Sequence, residues 1–176
     1  MSDLSDRIAR SLDARDAGAA RFGEAAAADH ALALERVWQG RAAGLLVRGG
    51  TPDDGGDARH LAAAAAACWS RRTMLVELEL TESELCFGTH REPIGASRIY
   101  ETVHDLRDRD LLLLGLGLEL YDPAVVAGFL EAWLDRRPRS RAVLFGWTPF
   151  SNEQLGARYG GELWWRFSQQ LVEVNV

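Results

Sequence analysis

Short apolar segments alternate with longer amphipathic or helix-favouring segments along most of the chain. Short apolar or alternating runs bounded by glycine, proline or polar residues predict five strands, at 43–48, 74–80, 111–116, 141–147 and 171–176. Propensity and helical spacing predict helices between them, at 58–72, at 96–107, from Pro123 and from Ser151. Strands that alternate with helices form βαβ units. We therefore predict an α/β fold with a five-stranded, mostly parallel sheet in a three-layer arrangement.

Two of the predicted helices carry clear start signals. Asp122 is a good N-cap and is followed by Pro123, which is favoured in the first turn. Ser151 and Gln154 stand three residues apart and form a capping box. The glycine pair 160–161 then interrupts the helix that the box begins. These signals predict the helices that precede and follow the fourth strand.

The first 40 residues are predicted as an N-terminal helical segment (1–40) that precedes an α/β domain (41–176). A narrow apolar stripe follows one side of this segment, at Leu4, Ile8, Leu12 and Phe22. So narrow a stripe suits docking into a groove of a partner, whereas a helix packed in a core usually has a wider apolar face. Packing of the segment on its own domain remains the alternative.

Composition and charge narrow the function classes. The chain has 176 residues, 47% of them apolar, which fits one globular domain. It has no apolar run long enough for a membrane span, no secretory signal and only two cysteines, so we predict a cytoplasmic protein without a membrane partner. Its net charge of −6 disfavours a dedicated nucleic-acid binder. The arginine-rich stretch 136–141 fits a helix C-terminus, with phosphate or nucleic-acid contact as the alternative.

The first strand is followed by a glycine-rich loop, in the place where such folds bind phosphate. Backbone N–H groups and a lysine normally hold the phosphates there, and a serine or threonine holds magnesium. The chain contains no lysine at all, and Asp53, Asp54 and Asp57 would repel a triphosphate. A solvated, mobile acidic turn is expected for 49–57, with cation binding by the aspartates and anion binding by Arg59 as alternatives.

The order of these segments resembles that of the DnaC/IstB-type AAA+ ATPases, the bacterial helicase loaders and transposition helpers. The stretch GLLVRGG with HLAAA is similar to their Walker A region, and RDLLLLGLGLE is similar to their Walker B strand. The stretch RAVLFGWTPFSNEQLGARYGGELWWRF resembles their sensor strand and the helix after it. The resemblance covers 35–176 and implies a P-loop NTPase-like, AAA+ RecA-like core with no lid domain. DnaA/Hda-like relatives share this fold.

The Walker A, Walker B and sensor positions all depart from the family pattern. The degenerate phosphate-loop positions are Gly49, Gly50, Gly55, Gly56, Ala58 and Arg59, the last two standing where lysine and threonine are expected. The Walker B acids fall on Gly115 and Leu116, and the sensor asparagine falls on Trp147. The resemblance therefore implies a pseudo-ATPase, not an enzyme. Glu119 replaces a Walker B acid only if the strand shifts in register.

The remaining candidates for chemistry or contact are few. His60, Cys68, Cys86 and His90 lack the paired spacing of a zinc site, and no nucleophile–base pattern accompanies Cys86. We predict no metal and no cofactor. Trp164 and Trp165 are adjacent on a helix, so their side chains diverge and one of them is a candidate interface residue. Arg166 matches a family arginine that faces a neighbouring subunit.

The favoured function is that of a non-catalytic AAA+-like protein that binds a protein partner. The resemblance implies a replication, helicase-loading or transposition setting, with an AAA+ ATPase, a helicase or a second copy as partner. A residual nucleotide-binding ATPase or switch using Arg59 and Glu119 is one alternative. A nucleic-acid-binding accessory using 136–141 is the other.

Overall fold

A five-stranded parallel sheet forms the centre of the protein. The computed structural model describes residues 33, 36–37, 39–69, 75–82, 86–87, 92–93, 103, 106, 109–136 and 142–176. In chain order, the strands in these residues are β1 (Gly44–Arg48), β2 (Val76–Glu79), β3 (Cys86–Phe87), β4 (Glu92–Pro93), β5 (Leu111–Leu114), β6 (Leu144–Thr148) and β7 (Leu171–Asn175). The helices are α1 (Gly56–Trp69), α2 (Pro123–Arg136), α3 (Asn152–Tyr159) and α4 (Gly161–Ser168).

The strand order of the main sheet is β2-β5-β6-β1-β7, and all its neighbouring strands are parallel. Counted among these five strands in chain order, the arrangement is 5-1-4-3-2, which differs from the Rossmann and flavodoxin-like orders. Strands β3 and β4 form a separate antiparallel ladder that the sequence pattern did not predict. Because the main strands are parallel, their carboxyl ends meet at one edge of the sheet.

Two apolar clusters, one on each face of the sheet, hold the layers together. Alternate strand residues such as Leu45 and Phe145 pack against α1 together with Ala33 and Val37. The intervening residues, such as Leu46, pack against α2, α3 and α4. Both faces of the sheet are therefore covered, as the continuous apolar strands indicated. The predicted α/β class and five-stranded sheet are confirmed, and the sheet is entirely parallel.

The predicted helix starts agree with the structure. Ser151 accepts a hydrogen bond from the backbone N–H of Gln154, whose side chain accepts one from the N–H of Ser151, so the capping box is present. Gly160, with φ +98°, separates α3 from α4. The helix predicted at 96–107 lies almost wholly outside the described residues.

Candidate functional site

The carboxyl edge of β1 and β6 is the position at which a sheet of this kind has a crevice. Helix α1, which follows β1, lies on one face, whereas α2, α3 and α4 lie on the other. The connections that leave β1 and β6 therefore diverge to opposite faces, which is the condition for a ligand crevice at this edge. The glycine-rich loop 49–55 runs directly from the end of β1 to the start of α1.

The loop folds back on itself. Gly50 has φ +75°, and a Cβ added to it would lie 2.5 Å from the carbonyl oxygen of Gly55 and 2.8 Å from that of Asp54. Thr51 and Asp54 exchange backbone hydrogen bonds of 2.8 and 3.2 Å. The carbonyl groups of Asp54 and Gly55 therefore lie close to Gly50 inside the loop, where they would repel an anion.

Some of the backbone N–H groups in the loop and at the start of α1 already donate to the chain itself. The Gly56 N–H donates to the Asp54 carboxylate at 2.9 Å, and the Arg59 N–H donates to the Gly55 carbonyl at 3.2 Å. The Asp54 N–H also contacts the Thr51 hydroxyl oxygen at 3.1 Å. Asp54 thus takes the place at the start of α1 where a phosphate would lie in a nucleotide-binding loop. The mobility predicted for 49–57 stays a prediction.

Trp147, at the predicted sensor position, lies beneath this loop. Its side chain is buried (1% exposed) on the α1 face of β6. The indole N–H donates to the Gly49 carbonyl at 2.9 Å. A Cβ on the buried Gly55 would lie 2.6 Å from Cζ2 of the indole, so the ring and the loop backbone are in close contact. An aromatic ring therefore fills the space between loop and sheet.

Arg59 and Ala58 are both engaged by the protein itself. The Arg59 guanidinium lies 5.7 Å from the Trp147 ring centroid and pairs with the Glu79 carboxylate at 2.5 Å. Glu79 ends β2 and also accepts the Thr81 hydroxyl at 2.7 Å. Ala58 is buried in the cluster beneath α1. The sequence did not predict Glu79 as the partner of Arg59.

Gly115 and Leu116, which the resemblance aligns with the Walker B acids, offer no carboxylate and little room for one. Gly115 has φ +87°, and a Cβ there would lie 2.7 Å from Cγ2 of Thr81. Any side chain at position 115 would therefore be strained. Leu116 is fully buried on the face that packs against α2, α3 and α4.

Glu119, the alternative acid, is a buried structural carboxylate. Its side chain is 0% exposed and pairs with Nε of Arg158. It also accepts from the Tyr159 hydroxyl at 2.9 Å and from the Gly117 N–H at 3.1 Å. Burial, together with the charge and hydrogen bond of Glu119, raises the pKa of Tyr159 well above its ordinary value. The Glu119 carboxylate thus connects the loop after β5 to α3 through contacts within the protein.

A further network at this edge was missing from the sequence prediction. Arg48, at the end of β1, donates to both Glu173 carboxylate oxygens at 3.1 and 3.2 Å and to Oδ1 of Asn152 at 2.5 Å. The Asn152 amide also donates to Glu173 at 3.1 Å. The network ties β7 and the start of α3 to β1, so this side of the edge is also closed by the chain's own groups.

The candidate interface residues separate into three groups. Trp164 is buried, its indole N–H donates to Asn152 at 2.6 Å, and it therefore belongs to the core rather than to an interface. Trp165 is 64% exposed, and Arg166 is also exposed. Leu120, which the sequence analysis did not single out, is 86% exposed. The remaining candidates, Leu4, Ile8, Leu12 and Phe22, lie outside the described residues.

No protein-family model matches the chain, and no curated protein matches it significantly. Within the described ranges, no three histidine, cysteine, aspartate or glutamate side chains form a group that would hold a metal ion. None of the described helices combines the length and apolar character needed to cross a lipid bilayer.

Proposed function

We propose that the chain is a non-catalytic AAA+-like domain that acts by binding a protein partner. The observation that carries the proposal is the filled crevice: the Trp147 ring lies under the loop, and Arg59 is paired with Glu79 beside it. A nucleotide would have to displace a buried aromatic ring and break an ion pair. It would gain no lysine, hydroxyl or Walker B carboxylate in return.

The sheet supports the AAA+-like assignment. The five-stranded, all-parallel sheet, with a glycine-rich loop after its first strand, is compatible with the P-loop NTPase-like core that the resemblance implies. On the basis of the resemblance, we propose that the protein takes part in DNA replication, helicase loading or transposition in the cytoplasm. The partner would be an AAA+ ATPase, a helicase or a second copy of this chain.

The contacts of Arg59 and Glu119 argue against the nucleotide-binding alternative. Each is committed to an internal ion pair, with Glu79 and Arg158 respectively, and Glu119 has no solvent exposure. A switch built on these two residues would require both pairs to break. Only the first residue of the arginine-rich stretch 136–141 lies within the described residues, so no structural observation favours the nucleic-acid alternative.

Exposed apolar side chains support a role in protein contact. Trp165 and Leu120 are large apolar residues with most of their surface in solvent. Exposed tryptophan is a common anchor of protein interfaces. Arg166, beside Trp165, matches the arginine that faces a neighbouring subunit in the AAA+ families that the chain resembles.

Isothermal titration calorimetry with ATP and Mg²⁺ tests the nucleotide part of the proposal. We expect no binding up to about 1 mM, which corresponds to a binding free energy weaker than about −4 kcal/mol. A dissociation constant in the micromolar range would overturn the proposal, as would ATP hydrolysis that is lost in Glu119→Gln.

Partner capture with matched surface variants tests the interaction part. A specific partner is expected to bind the wild-type chain and to be lost with Trp165→Ser. It should be retained with Glu131→Gln, which changes an exposed residue of α2. If Trp165→Ser and Leu120→Ser capture everything that the wild type captures, these side chains are not the contact surface.

A further inference from the structure

Trp147 differs from the other buried tryptophans in what it contacts. Trp133 packs edge-on against Phe167 at 5.4 Å, within the cluster between the sheet and α4. Trp147 instead donates its N–H to the carbonyl of Gly49 and lies against the backbone of Gly55. Its contacts are therefore made with both ends of the loop 49–55 as well as with the core.

The backbone of the loop packs closely against the Trp147 ring. A methyl group on Gly55 would overlap Cζ2 and Cε2 of the indole, at 2.6 and 2.9 Å. Arg59 covers the ring from one side, at 5.7 Å from its centroid, and is held there by Glu79. The ring thus contacts a hydrogen-bond acceptor, a glycine backbone and a cation. A bound planar heteroaromatic molecule would be recognised by contacts of the same kinds.

We propose that the Trp147 indole is an intramolecular ligand of the loop, holding loop 49–55 in one closed conformation without any external ligand. The same geometry assigns a latent site: a chain that lacks this side chain binds a planar aromatic N–H donor such as indole between Gly49, Gly55 and Arg59. This inference goes beyond the proposed function, because it holds whichever partner the chain binds.

Amide hydrogen exchange of the loop tests the first part. Trp147→Phe keeps an aromatic ring but removes the N–H that binds Gly49, so we expect loop amides at 50–57 to exchange about three- to tenfold faster. The matched control, Trp133→Phe, changes a buried tryptophan on the opposite face and should leave these amides unchanged. Equal loop exchange in Trp147→Phe and wild type would overturn the proposal, as would an equal acceleration in both variants.

Rescue by free indole tests the latent site. In Trp147→Ala, millimolar indole should restore slow exchange at 50–57, whereas in Trp133→Ala indole should leave loop exchange unchanged. Failure of indole to slow loop exchange in folded Trp147→Ala would overturn the latent site.

A glycine substitution gives a second measurement that does not depend on the folding of Trp147→Ala. Gly55→Ala should accelerate loop exchange, because its methyl group overlaps the indole and Cβ of Arg59. Gly156→Ala is the control, because its methyl group would meet its nearest neighbour at 3.7 Å. Unchanged loop exchange in Gly55→Ala would show that the ring does not hold the loop. ATP titration of the wild type reports on the proposed function and is independent of these results.

Discussion

The buried pair of Glu119 and Arg158 offers a sharp test of how the edge of the sheet is held together. The two partners are unequal: the side chain of Glu119 is 0% exposed, whereas that of Arg158 is 33% exposed. Removing Arg158 leaves a carboxylate without its cation in the interior. Removing the charge of Glu119 leaves a guanidinium that still reaches water. Arg158→Met should therefore destabilise the protein more than Glu119→Gln.

The magnitude follows from the contacts that remain. In Arg158→Met, Glu119 keeps two neutral hydrogen-bond donors, Tyr159 and Gly117. We therefore expect the free energy of unfolding to fall by about 3 kcal/mol, the lower end of the range for removing one partner of a buried ion pair. In Glu119→Gln, the amide oxygen can still accept from Arg158. The amide N–H₂ can donate to the Tyr159 hydroxyl oxygen. The Gly117 N–H loses the Glu119 oxygen but keeps the Tyr159 hydroxyl oxygen as its acceptor, so we expect a loss of about 1 kcal/mol, the usual net contribution of one hydrogen bond.

Urea unfolding at neutral pH measures both variants. The free energy of unfolding should fall with an unchanged dependence on urea concentration. For a chain of this size, a loss of about 3 kcal/mol lowers the melting temperature by about 6–12 °C. Arg166→Met, which removes an exposed arginine of α4, is the control and should change stability by less than about 0.5 kcal/mol. If Arg158→Met costs no more than Glu119→Gln, the argument from unequal burial is wrong.

Two further predictions concern alkaline pH and the N-terminal segment. Folding raises the pKa of Tyr159, so the protonated side chain contributes its full stabilisation below the ordinary tyrosine pKa of about 10. Above that pH, the free energy of unfolding should fall by about 1.4 kcal/mol per pH unit. Urea unfolding between pH 9 and 11 should show this loss in the wild type and a smaller one in Tyr159→Phe; equal losses would contradict the assignment. Deleting 2–22 should abolish partner or self-association, measured by sedimentation, with little change in melting temperature. A fall of many degrees would instead assign the segment to the core.

The elements with strong local signals were predictable from the sequence. Apolar and alternating runs marked the five strands of the main sheet, and the capping box at Ser151 and Gln154 marked the start of α3 within one residue. Boundaries without such signals were less accurate: the fourth sheet strand was predicted at 141–147 and is found at Leu144–Thr148. The ladder of β3 and β4 has two residues in each strand, too few to produce any periodicity in the sequence.

Residue identity alone showed that the positions which the resemblance assigns to nucleotide binding carry no lysine and no Walker B acid. The side chains that fill this edge of the sheet were not predicted. The contact of Trp147 with Gly49 depends on the parallel register of β1 with β6, which a single sequence does not reveal. The pairing of Arg59 with Glu79 joins α1 to β2, although β2 is three positions from β1 in the sheet. A bulky tryptophan where the resemblance expects a small polar side chain was the one available signal.

The residues that close this edge are linked by packing and charge. A glycine-rich loop that surrounded no ligand would leave a void, and interiors tolerate few voids, so a large side chain such as Trp147 is favourable beneath it. The Arg59 guanidinium beside the ring needs an anion, and Glu79 supplies one. Lysine and threonine at 58 and 59 would therefore not by themselves create a nucleotide site. The lysine would replace a buried Ala58, and the threonine would leave Glu79 without its cation while the indole still filled the crevice.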